Sequence, residues 1–284
     1  MNRHECFDEM NKALEDLKID LNQTDFFITH LHADHIGMVD RLATETSKVF
    51  FNRFEAPQLK TPDHWWEQLS RFAVLYGFPK AELDQLFQYH PASRYHLKNI
   101  PNITLVKEGD IIQAGDYSFR CIETPGHSPG HLCLYEAKHR LLISGDHILG
   151  DITSNVTTRY KDSRNALEDY INSLDKIYPL DIALALPGHR NPVKDVRKRI
   201  DELKRHHEER SNEQLKILEQ GEQDAYRVTT QMTWDMRYDK WDDVQTTQKY
   251  FAFAEGLAHL QYLSLRGKVR EKELPDGRIV YSLP

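Results

Sequence analysis

The chain has 284 residues, enough for one large domain and a smaller one, and its 39% hydrophobic and 29% charged residues are typical of a globular protein. The formal net charge of −7 gives no overall attraction to nucleic acid or to a membrane surface. No apolar run approaches the ~18 residues that span a bilayer, no apolar signal segment begins the chain, and the three cysteines form no CxxC pair. These features predict a cytoplasmic protein without a disulfide framework or a membrane partner.

The first part of the chain alternates helices and strands. Apolar residues at three- and four-residue spacings predict an amphipathic helix over residues 5–18. A short strand, DFFITH (25–30), follows, and then a helix over IGMVDRLATET (36–46) and a strand over SKVFFNRF (47–54). This order is typical of an α/β fold.

Residues 57–100 interrupt that order with two predicted helices, DHWWEQLSRFAVLYGF and KAELDQLFQY, separated by prolines. Two interpretations of this helical insertion stay open: it adds to the core, or it forms a lid over a site. As a lid it would enclose an apolar substrate with aromatic side chains, namely Trp65, Trp66, Phe72, Tyr76 and Phe78.

Strands resume over residues 103–127, and a pair of strands is predicted over residues 131–147. A helix over 163–178 and a strand over 181–189 complete this part of the chain. We therefore predict one catalytic domain over residues 1–195.

The composition changes at about residue 195. A long charged helix is followed by a second helix, QKYFAFAEGLAHLQYLSLRG, and by a charged hairpin whose turn contains Pro275, Asp276 and Gly277. A helix followed by a charged hairpin is the outline of a winged helix. Residues 196–284 are therefore predicted to form a winged-helix-like C-terminal domain.

Four stretches share one pattern, in which an apolar strand ends beside a glycine, proline or alanine and a side chain that can bind metal. They are ITHLHADH, ETPGH, LISGDH and ALPGH. Strand ends at one edge of a sheet converge, and ligands bind there in α/β folds. We expect the following residues to meet at that edge: His30, His32, Asp34, His35, His127, Asp146 and His189.

The residue types in this set narrow the metal. Imidazoles and carboxylates without a thiolate suit Zn²⁺, and also Mn or Fe. The set exceeds the three protein ligands of a mononuclear catalytic zinc site, so it predicts two divalent metal ions, with zinc favoured. A bridging carboxylate needs two free oxygens, and Asp146 is the aspartate that stands apart from the others. His131 is predicted to orient the ligand loop, and His147 to be structural.

THLHADHIG resembles the HxHxDH signature of the metallo-β-lactamase superfamily, and TPGHSPGH, SGDH and PGH resemble its later motifs in the same order. The resemblance covers about residues 20–195. It implies an αββα sandwich with a dinuclear site at one edge. One metal would be bound by His30, His32 and His127 and the other by Asp34, His35 and His189, with Asp146 as the bridge. Asp34 is also assigned as the catalytic carboxylate.

The details of the match differ from those of other superfamily members. Common zinc β-lactamases have a cysteine where this chain has Asp146, so the pattern is closer to glyoxalase II-like hydrolases, lactonases and phosphodiesterases. The C-terminal part resembles the winged helix of the β-lactamase-like protein 2 type, an endoribonuclease. Superfamily members usually begin with two strands and an Asp-Thr-Gly turn, whereas this sequence begins with a helix. We therefore expect the N-terminal strands to be missing.

Two functions follow from these motifs. The first is hydrolysis of a small ester, thioester or lactone, with a hydroxide between the two metals as the nucleophile. The second is an endoribonuclease or phosphodiesterase whose winged helix binds nucleic acid. Residues 196–284 hold equal numbers of acidic and basic residues, and only the hairpin is basic, which favours the first function. The C-terminal part could instead pack around the lid or form a homodimer.

Overall fold

A computed structural model describes residues 2–59, 65–89, 102–158, 164–235, 237–238 and 240–284. Two β-sheets form its centre. The first is parallel and contains, in this order, β1 (Phe26–Phe27), β2 (Val49–Asn52) and β3 (Ile103–Val106). The second contains, in this order, β4 (Ile111–Ala114), β5 (Tyr117–Glu123), β6 (Leu132–Glu136), β7 (Leu141–Gly145) and β8 (Leu184–Pro187). In the second sheet β4 to β7 are antiparallel neighbours and β8 is parallel to β7.

Helices lie before, between and after these strands. The helices of the first half are α1 (His4–Asp16), α2 (Ala33–Ile36), α3 (Val39–Leu42), α4 (Trp65–Leu75) and α5 (Lys80–Tyr89). The second half contains α6 (Ala166–Ile177), α7 (Val196–Leu218), α8 (Ala225–Gln231) and α9 (Thr246–Leu265). The antiparallel hairpin of β9 (Arg270–Glu273) and β10 (Ile279–Ser282) ends the chain. Within the described ranges, no helix combines the length and apolar character needed to cross a bilayer.

The alternation of side chains along β6 shows how the two sheets are layered. Leu132 and Leu134 are buried between the sheets, in a core that Phe50 of β2 also contacts. Cys133 and Tyr135 point to the opposite face, into a core formed with α6 and α7. Successive residues of a strand face opposite sides of its sheet, so both faces of β6 are covered.

A helical layer also covers the outer face of the parallel sheet. Val49 and Phe51 of β2 pack there with Ile36 of α2 and Val39 of α3. The order of layers is therefore helix, sheet, sheet, helix. The predicted α/β class and αββα sandwich are confirmed.

A separate hydrophobic core joins the helical insertion to the C-terminal part of the chain. Tyr76 and Phe78 are buried there, beside Phe253 and Leu257 of α9. These two aromatic side chains therefore do not line an open substrate pocket, as the lid interpretation required of them. They are buried because α5 packs directly on α9.

The remaining lid residues differ in position. Trp66 and Phe72 are partly buried against the same core. The side chain of Trp65 lies outside the described residues, as do residues 60–64 and 90–101. A lid over the site stays a prediction.

Helix α7 passes through both cores. Val196 and Ile200 pack in the sandwich, whereas Ile217 and Leu218 pack in the second core. The boundary predicted at residue 195 coincides with the N-cap of this helix, where the side chain of Asp195 accepts a hydrogen bond from a backbone N–H. The division into domains at that point stays a prediction.

Candidate metal centre

The segment THLHADH leaves the end of β1 and turns at once into a helix. His30 and His32 lie on the extended part, and the carbonyl of His32 accepts hydrogen bonds from the N–H groups of His35 and Ile36. This bonding starts α2 at Ala33, three residues earlier than the sequence predicted. Asp34 and His35 therefore lie in a one-turn helix rather than in a loop.

Three imidazoles meet at the first position of the site. Nε2 of His30 lies 3.0 Å from Nδ1 of His32 and 3.2 Å from Nε2 of His127, and the latter two nitrogens are 2.9 Å apart. A tetrahedral zinc ion with bonds of about 2.0 Å to nitrogen holds its ligand nitrogens about 3.3 Å apart. The spacing and the donor type both fit a divalent transition metal.

Hydrogen bonds on the outer side of the rings fix which nitrogen faces inward. Nδ1 of His127 lies 2.8 Å from the backbone carbonyl oxygen of Asn155, and a carbonyl can only accept. In the neutral ring Nδ1 therefore carries the proton, and Nε2 presents its lone pair to His30 and His32. Burial lowers the pKa of His30 well below its usual value, and the nearby charges of His32 and His127 lower it further. Both effects favour unprotonated ligand nitrogens.

A second group lies beside the first. Nε2 of His189 is 3.2 Å from Nε2 of His35 and 3.3 Å from Oδ2 of Asp34. The side chains of His189 and Asp34 are 39% and 37% exposed, whereas that of His127 is 8% exposed. The second position is therefore the side of the site that is open to solvent.

Asp146 lies between the two groups. Its Oδ1 is 3.4 Å from Nε2 of His35, and its Oδ2 is 3.6 Å from Nε2 of both His127 and His189. Oδ1 is buried and accepts no hydrogen bond from the described residues. Burial alone would raise the pKa of Asp146, but the contact with His35 and the charges of the neighbouring histidines outweigh it and lower the pKa. A buried, ionised carboxylate that faces both groups is suited to bind cations.

The structure thus brings all seven sequence-predicted ligands together. Groups of three whose candidate ligand atoms lie within 4.8 Å of one another are His30, His32 and His127; His30, His35 and Asp146; and Asp34, His35 and His189. A family model described as the metallo-beta-lactamase superfamily matches residues 21–189. The chain belongs to this superfamily.

Relatives agree with this assignment. The chain is 28% identical to the beta-lactamase-like protein 2 homolog of Caenorhabditis elegans over 209 residues, which are 73% of this chain and 56% of that protein. It is 24% identical to the atrochrysone carboxyl ACP thioesterase of Aspergillus fumigatus over 175 residues, or 62% of this chain and 41% of that one. The chain spans about half the length of the curated relatives it matches.

A solved structure extends the comparison to the whole chain. A metallo-beta-lactamase family protein of Thermus thermophilus superimposes with a TM-score of 0.81 at 26% sequence identity, covering 100% of this chain and 87% of that one. The similarity therefore includes the second core and the C-terminal hairpin as well as the superfamily's sandwich.

Behind the candidate ligands of this superfamily member, His131 supports Asp146. The backbone N–H of Asp146 donates to Nε2 of His131 at 3.1 Å, and Nδ1 of His131 pairs with Oγ1 of Thr124 at 2.8 Å. His131 is fully buried, which lowers its pKa well below the usual value. It holds the ligand loop in place, as the sequence predicted. A side chain on Gly188 would collide with Oδ1 of Asp146, which explains the glycine of the PGH motif.

Glu55 is a functional residue that the sequence did not indicate. It is fully buried, and its Oε2 accepts a hydrogen bond from the N–H of Leu31 at 2.8 Å. Its Oε1 accepts one from the N–H of Gly130 at 3.0 Å. One carboxylate thus ties together the loop that carries His30 and the loop that follows His127. The contact with Gly130 spans 75 residues, so no local pattern announces it.

Proposed function

We propose that this chain is a dinuclear metal hydrolase whose substrate is a small ester, thioester or lactone. The observation that carries the proposal is the place of Asp146, whose Oδ1 faces His35 and whose Oδ2 lies equally far from His127 of the first group and His189 of the second. A bridging role would explain why a buried carboxylate stands there, since this one side chain faces histidines of both groups. The three-histidine group would hold the first metal, and Asp34, His35 and His189 the second.

Two divalent metals would lower the pKa of water toward neutrality and polarise the bond under attack. The residues of the chain supply orientation and a proton acceptor. The carbonyl of Asn155 holds His127 with its Nε2 inward, and Glu55 holds the two loops in register. Oδ2 of Asp34 lies on the open side of the site, where it is placed to accept the proton that an attacking water loses.

The comparisons support a carboxyl ester or thioester rather than a β-lactam. One relative is named as an atrochrysone carboxyl ACP thioesterase. The resemblance of the motifs to the superfamily also implies that Asp146 stands where common zinc β-lactamases have a cysteine. The exposed second position leaves room for an acyl group to approach. Zinc is the favoured metal for the histidine-rich donor set, with Mn or Fe as alternatives.

Metal analysis and a substrate screen test this proposal together. Protein purified without chelator should contain close to two transition metals per chain. The zinc-loaded protein should turn over one class among p-nitrophenyl esters, acyl thioesters and lactones at least about 10-fold more efficiently than bis-p-nitrophenyl phosphate, a difference of ~1.4 kcal/mol. Active, zinc-supplemented protein that reproducibly binds one metal would contradict the dinuclear site. A preference for the phosphodiester would contradict the substrate class.

The second candidate is an endoribonuclease or phosphodiesterase, because a relative is a beta-lactamase-like protein 2 homolog and a winged helix is proposed for the C-terminal part. The charges of the hairpin give this candidate little support. Lys272 pairs with Glu222 at 3.3 Å, and Arg278 pairs with Asp276 at 2.8 Å, so acidic neighbours offset part of its positive charge. A gel-shift assay with random RNA and DNA tests it, and we expect no retained complex at physiological salt.

The C-terminal part has a further proposed role in assembly. A homodimer formed through this part would explain its size without nucleic acid. Light scattering on the whole chain decides between a monomer and a dimer.

A further inference from the structure

The segment around residues 154–158 is attached to α9 by three hydrogen bonds. The side-chain amide of Asn155 donates to Oε2 of Glu255 at 2.7 Å. The backbone N–H of Thr158 donates to the carbonyl of Ala254 at 3.3 Å, and its hydroxyl donates to Oε1 of Gln261 at 2.7 Å. A loop of the sandwich is thereby fixed to a helix of the C-terminal part.

Asn155 has a second contact, on the side of the metal centre. Its backbone carbonyl accepts the hydrogen bond from Nδ1 of His127 described above. Partners on the outer nitrogen of a ligating histidine fix its tautomer and its ring orientation, and they strengthen metal binding. One residue therefore connects the ring of His127 to Glu255, which is 128 positions away in the sequence.

The carboxyl group of Glu255 lies in a buried position, where its ionised form is unfavourable. It lies on the buried side of α9, and burial raises its pKa to about 7, although the charge of Arg210 and the hydrogen bond from Asn155 oppose this rise. An apolar residue would fill the same volume without that penalty. An apolar residue would supply neither a charge near Arg210 nor an acceptor for the Asn155 amide, and of these two the acceptor is the one that connects to His127.

We propose that Glu255 is a positioning residue of the metal centre, which acts through Asn155 to hold the ring of His127 with Nε2 toward His30 and His32. The inference rests on the proposed function for the role of His127 as a ligand. It gives the C-terminal part of the chain a task at the site that requires no nucleic acid.

Four single variants of the whole chain, and the double variant that combines Glu255→Leu with Asn155→Ala, test the link. Glu255→Leu removes the acceptor, and Asn155→Ala removes the side-chain donor while leaving the backbone carbonyl in place. Glu255→Gln keeps an oxygen that accepts from the Asn155 amide. Thr158→Val is the matched control, because it removes a hydrogen bond from the same loop to the same helix that does not lead to His127.

The first measurement is zinc affinity by chelator competition. Glu255→Leu and Asn155→Ala should each weaken the tighter-bound zinc about 10-fold or more, in the range that such supporting contacts contribute. The double variant should be no weaker than either single variant, because both remove one link. Glu255→Gln and Thr158→Val should stay within about threefold of the wild type, a difference of ~0.7 kcal/mol.

The second measurement needs no metal. In the metal-free protein the Nδ1 proton of His127 should give a histidine NMR signal that is protected from exchange with water. The signal should persist in Glu255→Gln and Thr158→Val and lose its protection in Asn155→Ala and Glu255→Leu. Unchanged protection of the His127 proton in Asn155→Ala would overturn the inference. Zinc affinity equal to that of the wild type in Asn155→Ala and Glu255→Leu would also overturn it. A wild-type chain that binds no zinc would overturn the proposed function, and the exchange measurement would still decide the inference.

Discussion

Two groups of buried or half-buried histidines in the described part of the chain differ in their surroundings. At the sheet edge, ring nitrogens of His30, His32 and His127 converge on one point. Between α7 and α9, Nδ1 of His207 pairs with Nε2 of His259 at 3.1 Å, and Nδ1 of His259 donates to the carbonyl of Glu255. In the described part of the chain, triads suited to an ion occur at the sheet edge, and the helical pair belongs to none of them.

The difference shows that burial alone does not make a histidine a ligand. Burial lowers the pKa of His259 to about 4 and that of His207 well below its usual value, much as it lowers that of His30. All three rings are therefore neutral, but both nitrogens of His259 are used, one by His207 and one by the backbone carbonyl of Glu255. Nε2 of His207 is buried without a hydrogen-bond partner among the described residues, and it belongs to no group of candidate ligands. A metal site requires lone pairs that point to a common centre, and the sheet-edge histidines meet this requirement whereas the helical pair does not.

Removing Asp146, the proposed bridging carboxylate, should impair the sheet-edge group most severely. Asp146→Ala leaves both metal positions without a shared ligand, so kcat/KM should fall by about 10³-fold, or ~4 kcal/mol, with loss of the more weakly bound metal. Steady-state kinetics on the best ester or thioester, together with metal analysis, measures this.

His139→Ala is the control for that variant. His139 is a half-exposed histidine that pairs with Glu136 at a distance from the site, so its removal should leave kcat/KM unchanged within about twofold, or ~0.4 kcal/mol. If Asp146→Ala kept most of its activity and both metals, the bridge would be wrongly assigned.

A substitution of Glu55 tests whether the candidate ligands converge only because this carboxylate ties their two loops together. Glu55→Ala leaves two backbone N–H groups without their acceptor, which should lower the free energy of unfolding by roughly 1–3 kcal/mol for each. Zinc affinity should fall with it, by about 10- to 100-fold. Urea unfolding of the metal-free protein and chelator competition measure the two effects.

The matched control for Glu55 is Glu136→Ala. Glu136 is also buried and accepts a backbone N–H, that of His139, but far from the ligands. This variant should lose stability and keep its zinc affinity. Equal zinc affinity in Glu55→Ala and the wild type would show that the two loops hold their positions without the carboxylate.

The smallest expected effect concerns Glu255, which lies on α9, the helix that carries His259. The pKa of Glu255 is about 7 in the folded protein against 4.5 as the reference, so between these pH values the folded state keeps a proton that the unfolded state has released. Its contribution to stability is present below pH 4.5 and is lost as the pH rises toward 7.

Glu255→Gln removes this titration and keeps the shape of the side chain. The stability of the variant relative to the wild type should therefore rise with pH by at most about 1.4 kcal/mol per unit across that window and become constant above it. Urea unfolding at several pH values between 5 and 8 measures the difference. A difference that stays flat from pH 5 to 7 would refute the raised pKa.

The residues of the sheet-edge site could be predicted because the chemistry and the chain geometry agree locally. Each ligand follows a short apolar strand, and strand ends meet in space. The layers of the sandwich were predictable for the same reason, since strands such as β2 and β6 are apolar on both faces. The start of α2 was missed because a backbone contact of His32, rather than an apolar period, sets it.

The supporting residues could not be predicted, because their role exists only in three dimensions. Glu55 and Glu255 look like ordinary surface acids in the sequence, and each is buried by partners far away along the chain. The sequence left two interpretations of the aromatic residues of the insertion open for a related reason. A cluster such as Tyr76 and Phe78 predicts burial, but the sequence does not say whether a substrate or another helix covers it.

Helix α7 has a mechanical consequence for the molecule. Its 23 residues extend for about 35 Å, with one end inside the sandwich and the other inside the second core. Unfolding of either end of α7 would remove its apolar side chains from the core at that end. Because both ends belong to one helix, the loss of packing at one end would also destabilise the other. We therefore expect the sandwich and the C-terminal part to unfold together, and a chain cut at residue 195 would lose Val196, Ile200 and Leu203 from the sandwich core.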